Sequence, residues 1–119
     1  MVEGEERPGP IEYQDFRRVD VRVGTVVSAE PLAGLRKPAI RLEIDFGPAI
    51  GRKRSSAQIT RHYAPDALIG RQVAAVVNFP PKQIGRFMSE VLVLGFPDSA
   101  GEVVLIQPTQ AVPNGGRLY

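Results

Sequence analysis

Lysine and arginine carry most of the chemistry this chain can do. Between positions 36 and 86 stand Arg36, Lys37, Arg41, Arg52, Lys53, Arg54, Arg61, Arg71, Lys82 and Arg86, against only Glu43, Asp45 and Asp66, a local net charge of +7. Residues 1–35 carry a net −3 and residues 87–119 a net −2, so the overall +2 hides a basic middle between acidic flanks. Such a block attracts a polyanion or an acidic peptide, or it is simply a solvated basic face. Other chemistry is scarce. Cys is absent, which excludes disulfides, zinc–thiolate sites and thiol catalysis. The single histidine, His62, has no partners for a metal cluster and reads as a surface or hydrogen-bonded residue. No GxxxxGK loop, no GxGxxG after a strand and no GxSxG elbow occurs, and the acidic residues are scattered. The expectation is a binding protein, not an enzyme, with no cofactor and no metal.

For recognition, Arg36, Lys37, Arg52, Lys53, Arg54, Lys82 and Arg86 are candidate phosphate contacts. Phe79 and Phe87 flank the Pro80-Pro81-Lys82 loop. They either stack on bases and grip apolar peptide side chains, or pack in the core. Asn78 ends an apolar run, where its amide either donates to a ligand or closes a turn.

Short strands must position these groups. The eleven Pro and twelve Gly break the chain too often for long helices. Residues 11–18 (IEYQDFRR) fit a short helix with Ile11 and Phe16 as anchors. Val19, Val21 and Val23 alternate with Asp20 and Arg22 in a first strand running to Val27, with a bulge or bend expected at Gly24. Residues 31–38 form a loop. Ile40, Leu42, Ile44 and Phe46 alternate with Arg41, Glu43 and Asp45 in the clearest strand. After a turn over 47–53 comes a third strand over 55–60. A helical turn over 65–69 opens on Pro65 and stops at Gly70. An apolar strand over 72–78, a Pro-containing loop over 79–85 and a hairpin of 91–96 with 102–107 complete the pattern. Five strands with a short helix between the third and fourth match an all-β, five-stranded OB-fold Greek-key barrel, with a small sandwich as the alternative.

One domain is expected over residues 11–119, after a flexible tail at 1–10. The stretches Val91-Leu92-Val93-Leu94 and Val103-Val104-Leu105-Ile106 are apolar on both faces. One face fills a barrel; the other needs a second subunit or the terminal segments as cover. A homodimer is the expected solution. The opening MVEGEERPGP has no signal-peptide character and no window approaches a ~20-residue apolar span, so the chain reads as cytoplasmic, without membrane insertion.

Three segments resemble the tRNA-binding domain found fused to aminoacyl-tRNA synthetases: Arg22-Val23-Gly24-Thr25-Val26, Tyr63-Ala64-Pro65-Asp66-Ala67-Leu68-Ile69-Gly70, and Asn78-Phe79-Pro80-Pro81-Lys82-Gln83-Ile84-Gly85. Arg36-Lys37-Pro38-Ala39, Ser55-Ser56-Ala57-Gln58-Ile59-Thr60 and Phe87-Met88-Ser89-Glu90-Val91-Leu92-Val93-Leu94-Gly95 resemble the stand-alone CsaA family within it. The resemblance, from about Phe16 to Arg117, implies an OB-fold homodimer with terminal extensions at the subunit interface. It implies an export-related chaperone that binds unfolded or precursor polypeptides and also tRNA; a stand-alone tRNA-binding module acting in tRNA folding or delivery is the alternative. By matched motif, the binding site comprises Arg36, Lys37, Ser55, Ser56, Gln58, Asn78, Lys82, Met88 and Ser89. Ser55-Ser56-Ala57 and Met88-Ser89-Glu90-Val91 depart from the synthetase-linked pattern, which favours peptide binding over tRNA specificity.

Overall fold

The computed structural model describes residues 6–119. The chain runs α1 (Tyr13–Arg17), β1 (Val21–Leu32), β2 (Ala39–Asp45), β3 (Arg52–Ala57), α2 (Pro65–Leu68), β4 (Gln72–Val76), β5 (Lys82–Ile84), β6 (Phe87–Ser89), β7 (Leu92–Val93), β8 (Gly95–Pro97) and β9 (Val103–Leu105). A five-stranded antiparallel sheet in the order β3-β2-β1-β4-β7 curls into the barrel, and β5–β6 and β8–β9 form separate hairpins. This all-β architecture is the OB-fold. The inward residues of the strands build its core, with Val26, Ile40, Leu42, Ile44, Phe46, Val73 and Ala75 buried around Leu68 of α2 and Val91. Alternation in β2 dictates this directly: Ile40, Leu42 and Ile44 are buried while Arg41 is exposed.

Several sequence-derived boundaries change for physical reasons. Strand β1 begins at Val21 and continues through Pro31 to Leu32. Proline is tolerated there because β4 pairs with β1 only as far as Thr25, so Pro31 faces a single neighbour. The bulge lies between Val26 and Ser28, not at Gly24. Gly24 instead permits close approach of β2: a Cβ there would lie 2.6 Å from Ile44 Cγ2 and 2.9 Å from the Asp45 carbonyl oxygen. The N-terminal helix starts after Glu12, whose side chain forms a capping box with Asp15. That leaves Ile11 outside the helix and 69% exposed, so it does not anchor α1 in this chain. Within the expected 1–10 tail, residues 1–5 lie outside the described residues, and residues 6–10 are exposed without regular structure.

The C-terminal segment completes the edge of β1 that β2 leaves at Thr25. Gly115 N–H donates to the Val23 carbonyl at 2.8 Å, Val23 N–H to Gly116 at 3.1 Å and Leu118 N–H to Val21 at 2.9 Å. Gln72 fastens the segment: its Nε2 donates to the Val112 carbonyl at 2.7 Å and its Oε1 accepts the Val112 N–H at 3.0 Å.

Candidate functional site

The outward side chains of β2 and β3 form one polar surface. Register places Arg41 opposite Ser56, Glu43 opposite Arg54 and Asp45 opposite Arg52, with Glu30 of β1 opposite Arg41. Residues directly opposite in an antiparallel pair project to the same face.

The segment between β4 and β7 lies over this surface. The sequence suggests only a Pro-containing loop at 79–85; the structure has the β5–β6 hairpin, with Lys82 opposite Ser89, Gln83 opposite Met88 and Ile84 opposite Phe87. Its two-residue turn is Gly85-Arg86, and Gly85 has φ +61°, a left-handed conformation suited to glycine. A two-residue loop with Gly first is a recognised hairpin signal and was available in the sequence. Phe87 is buried, with the Arg54 guanidinium 5.3 Å and the Arg41 guanidinium 6.0 Å from its ring centre.

Beyond the hairpin, residues 89–91 close the barrel against β3. Glu90 N–H donates to the Arg54 carbonyl at 2.8 Å, and the Arg54 N–H donates to Glu90 Oε1 at 3.0 Å. Ser56 N–H donates to Ser89 Oγ at 3.1 Å, and Ser55 Oγ donates to the Val91 carbonyl at 2.9 Å. On the other side, a Cβ at Gly85 would lie 3.2 Å from Leu35 Cδ2. The β1–β2 loop bearing Arg36 and Lys37 therefore reaches the hairpin turn.

The structure thus gathers Arg36, Lys37, Arg54, Ser56, Lys82, Arg86 and Ser89 around one face, with Met88 opposite Gln83 on the outer side of the hairpin. Met88 is 37% exposed, and Arg36, Lys37, Lys82 and Arg86 are exposed. Arg52 stands at the start of β3, before the seam, and Gln58 is exposed just past its end, whereas Lys53 lies opposite the buried Ile44 and projects away from this face. Two residues have other work. Ser55 is 0% exposed and stands behind the surface. Asn78 spends its amide on the link between α1 and β1: Nδ2 donates to the Arg18 carbonyl at 2.8 Å and Oδ1 accepts the Asp20 N–H at 3.0 Å. The sequence reading missed Arg41, Glu90 and Leu92. Arg41 was legible as an outward residue of β2, whereas Glu90 and Leu92 acquire a place only through the hairpin.

A cleft of about 360 Å³ opens beside the hairpin, lined by Phe79, Pro80, Lys82, Ser89, Glu90, Val91 and Leu92. Its apolar walls and polar rim suit an apolar side chain on an extended backbone. Among the described residues, no three His, Asp or Glu side chains converge as metal ligands. His62 pairs with Asp98 of the β8–β9 turn, Nε2 to Oδ2 at 2.6 Å. That hydrogen bond, helped by the Glu102 and Ala100 N–H groups on Oδ1, holds the Asp98 carboxyl below its ordinary pKa.

Away from this face, Phe96 (67% exposed) lies directly opposite the exposed Val104 in the β8–β9 hairpin. Nearby, an apolar groove of about 370 Å³ is lined by Val21, Val23, Ala74, Ile106, Val112 and Leu118, among others.

A family model described as "Putative tRNA binding domain" matches residues 21–117. The solved structure of the chaperone CsaA from Bacillus anthracis is 54% identical, with a TM-score of 0.88, and the match covers 93% of this chain and 100% of that one. That of the CsaA chaperone protein from Picrophilus torridus is 47% identical, with a TM-score of 0.85, covering 92% and 100%. A methionine–tRNA ligase from Porphyromonas gingivalis is 34% identical over 108 residues, 91% of this chain. The chain spans only about 15% of that ligase's length.

Proposed function

The chain belongs to the tRNA-binding domain family, in its CsaA branch, and from that premise we propose that it is a non-catalytic, cytoplasmic chaperone that holds unfolded or precursor polypeptides for export. The observation that carries the reading is the junction of the β2–β3 face with the β5–β6 hairpin. OB-folds take ligands on that face, between the β1–β2 loop and the loop that follows β4. Here those two loops deliver Arg36, Lys37, Lys82 and Arg86 beside a cleft walled by Phe79, Pro80, Val91 and Leu92. Met88 supplies an adaptable apolar contact, while Ser56, Gln58 and Ser89 offer hydrogen bonds to a peptide backbone. Arg52 and Arg54 extend the basic surface along β3. Asn78 contributes by holding α1 against the end of β4, and Ser55 by closing the barrel.

The same cations favour a second ligand, tRNA, through phosphate contacts. In the alternative reading tRNA is the only ligand and the protein is a stand-alone tRNA-binding module.

Residues 11–119 form one domain whose outer apolar surface pairs two copies. Support comes from the Phe96–Val104 pair and the adjoining groove, since apolar patches of this kind are uncommon on monomers. Two equal sites then raise avidity for a ligand long enough to reach both.

Fluorescence titration with a labelled unfolded peptide and labelled tRNA, at low and moderate salt, tests the reading. The chaperone reading expects peptide binding that survives moderate salt and tRNA binding that fades with it. Salt-resistant tRNA binding with no peptide signal would establish the alternative.

A further inference from the structure

We propose that Glu30, Glu43 and Glu90 are resident competitors for phosphate on the basic face and determine how weakly it holds RNA relative to polypeptide. This rests on the reading that the face carries the ligand. The cations around it fall into two groups. Arg41 Nη2 lies 3.2 Å from Glu30 Oε1, Arg52 Nη1 lies 3.8 Å from Glu43 Oε1, and Arg54 Nε lies 3.7 Å from Glu90 Oε1. These pairs occupy the β1–β2–β3 surface and its seam with the hairpin. Arg36, Lys37, Lys82 and Arg86, on the surrounding loops, form no ion pair among the described residues.

The centre of the face is therefore charge-neutralised and its rim is not. A phosphate reaching Arg41 or Arg54 must displace a carboxylate, and an uncompensated carboxylate repels the next phosphate along the strand. A polypeptide backbone carries no such charge and meets no such barrier. Arg41 and Arg54 are also drawn over Phe87, so their guanidiniums are turned toward the ring as well as toward their carboxylates. The ion pairs are partly solvated and add little stability, so this arrangement has a role in selectivity that the fold does not require.

The test is the E30Q/E43Q variant, which leaves the cleft-lining Glu90 in place. Labelled tRNA and a labelled unfolded peptide of zero net charge are titrated across a salt series, with Asp66→Asn of α2 as a charge control off the face. We expect at least tenfold tighter tRNA binding near ~0.1 M salt. The plot of log K against log salt should steepen by about 2, from roughly 0.9 for each of two added phosphate contacts. Peptide affinity should stay within about twofold by the same counterion argument. Unchanged tRNA affinity and slope would overturn the proposal, as would an equal gain from D66N. Loss of the underlying reading shows separately, as a folded Lys82→Glu protein that binds both ligands like wild type. If the double variant does not fold, E30Q alone must still tighten tRNA binding, by about half of the logarithmic gain expected from two added contacts.

Discussion

The hydroxyl of Ser55, buried beneath the β3–hairpin seam, donates to the carbonyl oxygen of Val91 at 2.9 Å. Thirty-six residues separate the two in sequence. The bond ties the third strand to the residue where the chain leaves the hairpin and enters β7, so the cleft is braced from behind by a residue no ligand reaches. Ser89 Oγ lies 3.4 Å from the same oxygen, too far to replace it well. Ser55→Ala should cost about 1–3 kcal/mol by leaving a buried carbonyl poorly paired. A melt should record a fall of several degrees, with ligand affinity retained while the protein is folded. An unchanged melting temperature would remove Ser55 from the brace.

Gly24→Ala should destabilise the barrel by about 1–3 kcal/mol through overpacking. The added methyl meets Ile44, Phe46 and, at 2.9 Å, the Asp45 carbonyl oxygen. The side chains can shift, but the backbone oxygen is held by the β1–β2 ladder. Denaturant unfolding would measure the loss; wild-type stability in the variant would contradict this account of the close approach.

The His62–Asp98 pair predicts an acid-sensitive contact between the segment before α2 and the β8–β9 turn. The Asp98 carboxyl is lowered from its ordinary value of 3.8, chiefly by the hydrogen bond with His62. A lowered folded-state pKa gives stability that is present above the unfolded-state value and is lost as pH falls through the folded-state value. Asp98→Asn should therefore lower the melting temperature at pH 6, and the gap to wild type should close below about pH 4. A gap independent of pH would assign the effect to the turn alone.

The exposed Phe96–Val104 pair predicts self-association. Light scattering at micromolar concentration should give the mass of two chains, and Phe96→Glu should shift it toward one. A wild-type monomer would contradict the pairing of two copies through this surface.

Legibility in the sequence followed the period of the signal. The strict alternation of Ile40-Arg41-Leu42-Glu43-Ile44 fixed β2 and its outward face, and Pro65 with Gly70 bracketed α2. The hairpin over the β2–β3 face was harder to see, because three-residue strands carry too little alternation and Pro80-Pro81 dominates the reading. Its Gly85-Arg86 turn was the usable cue. The bulge was expected at the glycine of β1, but Gly24 is required for close packing, and the register shift comes between Val26 and Ser28. Long-range polar assignments were beyond the sequence. Asn78 and Ser55 look like ligand contacts by residue type, yet each is engaged by backbone from a distant segment.

The central claim is that the β2–β3 face and the β5–β6 hairpin hold unfolded polypeptide. Titration of a labelled unfolded peptide with wild type and with folded Met88→Glu tests it most directly. Met88 is exposed on the hairpin and is absent from the core, so the substitution should leave the melt nearly unchanged. The account predicts peptide binding by wild type and at least tenfold weaker binding by the variant, about 1.4 kcal/mol, from a charge set into the apolar contact. Equal affinity of the two proteins would place the peptide elsewhere and contradict the account.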